Sequence, residues 1–229
     1  MLKKYPQFTF AFAIIFFAEL IAVTNNLREI RFVTKPLITI SLMLYVYLTI
    51  KRESRFTKKV LVGLFFSLLG DVFLMFPHIS EIYFMLGLGA FLIAHLFYIA
   101  AFYLDSTNKI EVERRYVLPI FFVFGFFCMS YYMFLRPSLG SMNIPVLIYS
   151  FTITLMAIMA ALRYGKTNSK SFVWILLGAI LFVASDSILA YNKFVERIEM
   201  GNLLIMITYM LAQFLITLGT VERKYVKKN

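Results

Sequence analysis

Long apolar stretches alternate with short polar segments along the whole chain. About 20 consecutive apolar residues are needed to cross the hydrocarbon core of a bilayer, and about eight stretches have roughly this length. They cover residues 6–24, 35–50, 58–76, 82–104, 116–135, 141–163, 171–191 and 201–221. Because the apolar runs are continuous, they predict membrane helices rather than barrel strands. The expected fold is an all-α integral membrane protein with one polytopic domain over residues 1–229.

Composition supports a membrane protein and limits the possible chemistry. Hydrophobic residues make up 61% and charged residues 15% of the chain, which lies far outside the range of soluble domains. The single cysteine, Cys128, excludes an intrachain disulfide and is interpreted as a packing residue. The two histidines, His78 and His95, leave a zinc site shared with carboxylates open as an alternative. His78 is interpreted as a solvated loop residue, and no metal or cofactor is predicted.

Basic residues are unevenly divided between the two sets of connecting segments. If the N-terminus is cytoplasmic, 17 of the 23 lysines and arginines fall on the inner side. These are Lys3, Lys4, Lys51, Arg52, Arg55, Lys58, Lys59, Lys109, Arg114, Arg115, Arg163, Lys166, Lys170, Arg223, Lys224, Lys227 and Lys228. The positive-inside rule then predicts a multi-pass protein of the cell (inner) membrane with both termini cytoplasmic. Because the basic residues are dispersed beside lipid headgroups, the net charge of +11 implies no nucleic-acid partner.

The third and seventh apolar stretches resemble each other at an offset of 115 residues. Each places a glycine eight residues before an aspartate, with a leucine three residues after it. The pairs are Gly63 with Asp71, and Gly178 with Asp186. In the stretches that follow, Phe91–His95 aligns with Tyr209–Gln213. These matches predict two parallel four-helix repeats, about 1–110 and 111–229. Chance similarity between glycine-containing membrane helices is the alternative.

Three acidic residues, Glu19, Asp71 and Asp186, lie within the apolar layer. Each is about five residues from the outer end of its predicted span, which predicts a shared depth in the outer half of the membrane. An ionised carboxylate inside the bilayer costs on the order of 3 kcal/mol, so such residues normally face the bundle interior and mark function. Asp71 and Asp186 are therefore predicted to have a functional role, and Glu19 is a further candidate for a supporting one. A structural pair neutralised by Lys35 or an arginine is the alternative.

Several other polar residues are candidates for supporting or substrate-binding roles. Lys35, at the outer start of the second span, can extend its stem into the aspartate layer. Ser67 belongs to a stripe of small residues that lets helices approach closely. His95 and Gln213 lie nearer the middle of the bilayer. Hydrogen bonding within the bundle, without a role in a site, is the alternative for both.

Four segments together resemble the YhhN-like family of membrane proteins, which includes the lysoplasmalogenases. The segments are Thr34–Leu37, Gly63–Met75, Gly87–Tyr98 and Ser185–Ala190. The resemblance implies hydrolysis of the vinyl ether bond of a lysoplasmalogen, an alkenyl-glycerophosphoethanolamine or -choline, to a fatty aldehyde and a glycerophospho-base. It also implies that no metal is required and that Asp71 and Asp186 are the catalytic positions. Lys35 matches a family motif as well.

Two carboxyl groups suit the cleavage of a vinyl ether. Protonation of the alkenyl carbon creates an oxocarbenium-like cation, which water then attacks. One aspartate is expected to act as the general acid, while the other stabilises the cation and serves as base. Lys35 or Arg31 is expected to hold the substrate phosphate. The sequence leaves open which aspartate is the acid, because a close pair titrates as a unit.

Three other functions stay open at this stage. A proton-coupled transporter of small molecules or lipids would also use acidic residues inside a bundle. An aspartyl intramembrane protease is suggested by Leu69–Asp71, although Leu68 stands where that family's motif has glycine and the aspartates are four spans apart. A non-catalytic lipid-binding scaffold is the third. The sequence says nothing of the oligomeric state.

Overall fold

A computed structural model describes residues 6–50, 54–76, 79–106 and 114–224. Most of these residues belong to eight α-helices. They are α1 (Pro6–Thr24), α2 (Arg28–Thr49), α3 (Arg55–Phe73), α4 (Glu81–Ser106), α5 (Arg114–Leu135), α6 (Asn143–Ala161), α7 (Ser169–Phe194) and α8 (Gly201–Val221). Two short 3-10 turns, Arg136–Ser138 and Gly140–Met142, join α5 to α6. The described ranges contain no strand, so the all-α prediction is confirmed.

Seven helices in the described ranges are long and apolar enough to cross a membrane, which confirms a multi-pass membrane protein. The helix that does not meet both conditions is α3. It carries Lys58 and Lys59 near its start and Asp71 near its end, but its 19 residues match the length of α1. Lysine stems reach toward headgroups from within a span, so α3 still fits between the other helices as an eighth span.

Helix α2 begins at Arg28, seven residues before the predicted start of the second span. The cause lies in α1, because Arg31 and Thr34 both hydrogen-bond to Glu19 and draw the polar start of α2 against it. Asn26, in the short turn between the helices, has a φ of +54°, which asparagine tolerates better than most residues. Lys35 therefore lies two turns inside α2 and is buried.

Two helix pairs, α3 with α4 and α7 with α8, have the most extensive contacts of the bundle. Both rely on a glycine. A Cβ added at Gly63 would lie 2.6 Å from the Tyr98 ring, and one at Gly178 would lie 2.8 Å from Ile216. Helices inside a bilayer gain no stability from removing apolar surface from water. Close approach at a glycine stabilises their contact through van der Waals packing instead. The interiors of both pairs belong to one hydrophobic core.

The outer helices differ in how tightly they join this core. Helix α2 packs against α1, α3 and α8, while α6 packs against α4, α5 and α7. Helix α5 contacts mainly α6 and exposes apolar side chains such as Phe122, Phe126 and Met129. Apolar exposure of this extent fits a lipid-facing helix. The loose packing of α5 leaves space between it and its neighbours.

A buried charge network joins four helix ends. It lies at the end of the bundle opposite the C-terminus of α3. Asp105 accepts hydrogen bonds from Arg163 Nε at 2.9 Å and from Arg223 Nη2 at 2.5 Å. Arg163 also donates to the Ser171 hydroxyl at 2.8 Å. Breaking such a buried pair costs several kcal/mol, so these contacts hold the ends of α4, α6 and α8 against the start of α7.

Asp71 and Asp186 lie at different distances from the ends of their helices. Asp71 lies two residues before the end of α3, whereas Asp186 lies eight residues before the end of α7. Helix α3 begins and ends three residues earlier than predicted, because the chain turns at Leu74, while α7 continues through Phe194. His78 and the basic residues Lys3, Lys4, Lys51, Arg52, Lys109, Lys227 and Lys228 lie outside the described residues.

Candidate active site

Asp71 lies in a closed polar cluster formed by α2, α3 and α8. Its side chain is 1% exposed. Lys35 Nζ lies 3.5 Å from one carboxyl oxygen, and the other oxygen accepts hydrogen bonds from Thr39 Oγ1 at 3.1 Å and Tyr209 OH at 2.6 Å. One lysine charge thus balances one aspartate charge, which is the usual way a buried carboxylate is kept in a bundle.

A chain of hydrogen bonds leads from this cluster along α8. Gln213 Nε2 donates to Tyr209 OH at 3.4 Å, and Tyr98 OH donates to Gln213 Oε1 at 2.8 Å. Ser67 lies beside the Tyr98 hydroxyl, one turn before Asp71 on α3. The Tyr98 ring stacks on Phe102, where the chain of polar side chains in the described residues ends. Ser67 and Gln213 therefore belong to the surroundings of Asp71.

Glu19 lies in a second layer next to the Asp71 cluster. It is fully buried and accepts hydrogen bonds from Thr34 Oγ1 at 2.5 Å and from Arg31 Nε at 3.3 Å. Glu19 also lies close enough to Lys35 for their charges to interact. Lys35 is thus placed between Glu19 and Asp71, and its single charge interacts with both carboxylates.

Asp186 lies in a different setting, between α4, α6 and α7. Tyr149 OH donates to its Oδ2 atom, and His95 Nε2 lies 3.4 Å from the same oxygen. His95 Nε2 and Tyr149 OH are themselves 3.0 Å apart, so the three side chains form one hydrogen-bonded group. The Asp186 side chain is 14% exposed, whereas His95 is completely buried. A hydroxyl and an imidazole therefore take the place that a lysine has beside Asp71.

The exposed part of Asp186 faces a cavity. The volume of this cavity is about 590 Å³, including the open space at its entrance. The cavity lies between α4, α5, α6 and α7, on the side where α5 is loosely packed. Its walls are mostly apolar, as is usual for a small-molecule site. The residues that line it are Phe84, Leu88, Phe127, Cys128, Tyr131, Leu135, Val146, Tyr149, Ser150, Ile153, Thr154, Val183, Asp186, Ser187, Leu189, Ala190 and Phe194.

One aromatic ring separates the two aspartate clusters. The Phe182 ring makes an edge contact with His95, at 4.7 Å between centroids, and another with Tyr209, at 5.5 Å. His95 belongs to the Asp186 group and Tyr209 to the Asp71 cluster. The two clusters are therefore neighbours within one protein core, but only Asp186 borders the cavity.

The structure divides the predicted site residues into two groups. Lys35, Glu19, Ser67 and Gln213 gather around Asp71, and His95 alone joins Asp186. Three partners were missed by the sequence analysis, namely Thr39, Tyr149 and Tyr209. Tyr209 begins the segment that aligned with Phe91–His95, so the repeat already pointed to it. Tyr149 had no such signal, because tyrosine is common in membrane helices.

Comparisons with known proteins point to one family. A sequence profile of the YhhN family matches residues 30–220. Human lysoplasmalogenase TMEM86A is 32% identical over 173 residues, covering 72% of this chain and 66% of the human protein. Lysoplasmalogenase TMEM86B of Rattus norvegicus is 30% identical over 164 residues, covering 71% and 61%.

A lysoplasmalogenase of Mycobacterium tuberculosis is 31% identical over 185 residues, covering 79% of this chain and 66% of the bacterial protein. In each case the chain spans just under two thirds of the length of its relative. No solved structure matches.

Proposed function

This chain belongs to the YhhN family, and on that premise we propose that it is a membrane-embedded hydrolase that cleaves the vinyl ether bond of lysoplasmalogens. The products are a fatty aldehyde and a glycerophospho-base. The names of three relatives support the reaction. The observation that carries the proposal is the position of Asp186, which meets an apolar cavity with Tyr149 and His95 behind it. No cofactor or metal takes part in the proposed reaction.

Asp186 acts as the general acid in this mechanism. Its carboxyl proton is transferred to the alkenyl carbon that is not bonded to oxygen, and the electron pair of the C=C bond forms the new C–H bond. The neighbouring carbon and the ether oxygen then share a positive charge as an oxocarbenium ion. Tyr149 and His95 orient the carboxyl group, since both contact its Oδ2 atom.

Asp71 is the negative end of a fixed ion pair with Lys35, and this negative end stabilises the cation. Its partners Lys35 and Thr39 hold the carboxylate in place, and Tyr209 lies between Asp71 and the Phe182 ring. Charges act strongly through a core that excludes water, so Asp71 need not touch the substrate. Asp71 is thus a positioning and electrostatic residue, while Asp186 transfers the proton.

Water completes the reaction. It adds to the cationic carbon and returns a proton to the Asp186 carboxylate, which gives a hemiacetal. The hemiacetal then breaks its bond to the glycerol oxygen, and a proton moves from the hemiacetal hydroxyl to that oxygen. The net result is one water consumed, one aldehyde and one glycerol hydroxyl released, with Asp186 restored to its acid form. Glycosidases use a carboxyl group in the same two-way manner.

The proposal includes two parallel four-helix repeats, about 1–110 and 111–229, within a single domain. In support, the Gly63–Tyr98 contact between α3 and α4 corresponds to the Gly178–Ile216 contact between α7 and α8. We place both termini in the cytoplasm of the cell (inner) membrane on the positive-inside rule. Asp186 then lies in the outer half of the membrane, and the substrate enters from the outer leaflet.

Aldehyde release from a lysoplasmalogen by the detergent-purified protein tests the proposed function. We expect release by the wild type and a loss of about 1,000-fold in kcat for Asp186→Asn, since general acid catalysis contributes 100- to 10,000-fold. Glu199→Gln is the matched control, because Glu199 is an exposed carboxyl outside the cavity lining. A folded wild type that releases no aldehyde would refute the hydrolase, whereas a fully active Asp186→Asn protein would refute Asp186 as its general acid.

A proton-coupled transporter is the second candidate. It is favoured by the hydrogen-bonded chain that leads from Asp71 through Tyr209 and Gln213 to Tyr98. In the described residues this chain ends against the Phe102 ring, whose other contacts include Arg163. Transport predicts a proton flux in liposomes that Gln213→Leu abolishes, with no aldehyde formed. A hydrolase predicts aldehyde and no flux above that of empty liposomes.

A further inference from the structure

The cavity beside Asp186 is elongated along α7. Its lining residues on that helix run from Val183 to Phe194, which corresponds to about 16 Å at 1.5 Å per residue. Asp186 lies near the Val183 end, so most of the cavity extends from Asp186 toward the end of α7. A ligand must therefore fill an apolar path with one acidic group near its inner end.

A cation lies at the other end of this path. Lys193 Nζ is 5.0 Å from the centre of the Phe84 ring, and Phe84 makes an edge contact with Phe194 at 5.9 Å. Both phenylalanines line the cavity, and Lys193 is exposed. The ammonium group therefore stands at the rim of the cavity, held over one of its wall residues by a cation–π contact.

Asp186 and Lys193 are seven residues apart on the same helix. That spacing places them on one face of α7, two turns and about 10 Å apart. In an extended single-chain phospholipid, seven bonds join the phosphorus to the second carbon of the ether-linked chain, a span of roughly 9 Å from ordinary bond lengths. A phosphate at Lys193 would thus bring the start of the hydrocarbon chain to Asp186.

We propose that this cavity binds one single-chain phospholipid, with its phosphate at Lys193, its glycerol between Phe84 and Phe194, and the start of its chain at Asp186. The rest of the chain passes Val183 and Phe127 and leaves the cavity beside the loosely packed α5. Placement of a vinyl ether at Asp186 rests on the proposed hydrolase function. Binding of the phosphate and chain does not.

The assignment changes the expected role of the other cations. Lys35 is buried and paired with Asp71, and Arg31 is paired with Glu19. Neither residue lines the cavity. Glu81 lies one turn before Phe84 on α4 and is exposed, so the rim carries both signs of charge. A rim of this kind fits a zwitterionic headgroup, with its phosphate at Lys193 and its amine nearer Glu81.

Protection of Cys128 tests binding without relying on catalysis. Cys128 is the single cysteine of the chain and lines the cavity, so its rate of alkylation reports occupancy. The probe is a saturated 1-O-alkyl lysophosphatidylethanolamine, which lacks the vinyl group, compared with the alkylglycerol that lacks the phosphate. We expect the phospholipid to slow alkylation about fivefold more than the alkylglycerol in the wild type, since a single ion pair is worth about 1 kcal/mol.

Lys193→Glu should reduce protection by the phospholipid to the level given by the alkylglycerol. Lys170→Glu makes the same charge change at the start of α7, far from the cavity, and should leave protection unchanged. Equal protection by the two lipids in the wild type, or full protection of Lys193→Glu, would overturn the proposal. So would a lack of protection by either lipid.

Kinetics separate this inference from the hydrolase itself. With a lysoplasmalogen substrate, Lys193→Glu should raise KM about tenfold and change kcat less than twofold, because the headgroup contact is equal in the ground and transition states. If the phosphate group increases the protection of Cys128 but the protein forms no aldehyde, the binding site is supported and the hydrolase is refuted. Aldehyde release with an unchanged KM in Lys193→Glu would keep the hydrolase and refute the phosphate site.

Discussion

Asp71 and Asp186 each lie eight residues after a closely packed glycine, yet their surroundings differ in kind. Asp71 is 1% exposed and is held by a lysine ammonium and two hydroxyl groups. Asp186 is 14% exposed, is held by a tyrosine hydroxyl and an imidazole, and borders a cavity. The lysine balances the charge of Asp71, whereas the hydroxyl and the imidazole leave part of the Asp186 carboxyl group facing the cavity.

The difference shows how two similar helices can hold their carboxyl groups in different surroundings. Both aspartates follow a glycine that lets the next helix approach, so the same packing supports both. The distinction comes from the helix that covers each carboxyl group. Helix α2 brings Lys35 and Thr39 to Asp71, while α6 brings Tyr149 to Asp186. The loosely packed α5 then leaves only the second site open to a ligand.

Asp71→Asn should have the largest effect on stability. The substitution leaves the Lys35 ammonium buried without its carboxylate, and breaking a buried pair costs about 3–5 kcal/mol. We expect the free energy of unfolding in mixed micelles to fall by about 3 kcal/mol and kcat to fall about tenfold. For Asp186→Asn we expect the reverse ratio, with a far larger loss of kcat and a change in stability below about 1 kcal/mol.

The double variant Asp71→Asn/Lys35→Met separates the two roles of Asp71. Removing both charges should return the free energy of unfolding to within about 1 kcal/mol of the wild type, because an apolar side chain can replace a buried ion pair. The loss of kcat should persist, since the negative charge that stabilises the cation is still absent. Recovery of kcat in the double variant would show that Asp71 contributes only to folding.

The two tyrosines offer a finer test of the same comparison. Each hydroxyl donates to one aspartate, so Tyr149→Phe and Tyr209→Phe remove equivalent hydrogen bonds. We expect Tyr149→Phe to lower kcat about 30-fold, or about 2 kcal/mol, with a minor change in stability. Tyr209→Phe should lower the free energy of unfolding by about 1.5 kcal/mol and kcat less than about threefold. Similar kinetic losses in both variants would mean that the two aspartates share the chemistry equally.

The helical fold could be predicted from the sequence because each apolar run is long enough to report its own helix. The start of α2 could not, since Arg31 looks like a loop residue until its hydrogen bond to Glu19 is known. Asp105 was missed for the same reason. It pairs with Arg163 and Arg223, which lie 58 and 118 residues away in the sequence. The charge pattern assigned both arginines to the inner side of the membrane and gave no sign of a carboxylate partner.

Both aspartates could be predicted because a carboxyl group in an apolar run is costly and therefore conspicuous. Their different roles could not, since these depend on which neighbouring helix covers each one. Cys128 shows the same limit. It was interpreted as packing, and its place in the cavity lining follows from the loose contact of α5, which no local pattern in that helix reveals.

Glu19→Gln should have the smallest effect on stability and on kcat. It tests whether the functional part of the Asp71 cluster extends to α1. Glu19 is buried, but its partners Thr34 and Arg31 belong to the start of α2, and Arg31 is 29% exposed. A glutamine still accepts the Thr34 hydrogen bond, and Arg31 can turn toward water, so we expect a loss of about 1 kcal/mol in the free energy of unfolding. Lys35 keeps its pairing with Asp71, so kcat should fall less than about threefold. Unfolding in mixed micelles and aldehyde release measure the two quantities, and a loss of kcat as large as that of Asp71→Asn would extend the functional charge network to α1.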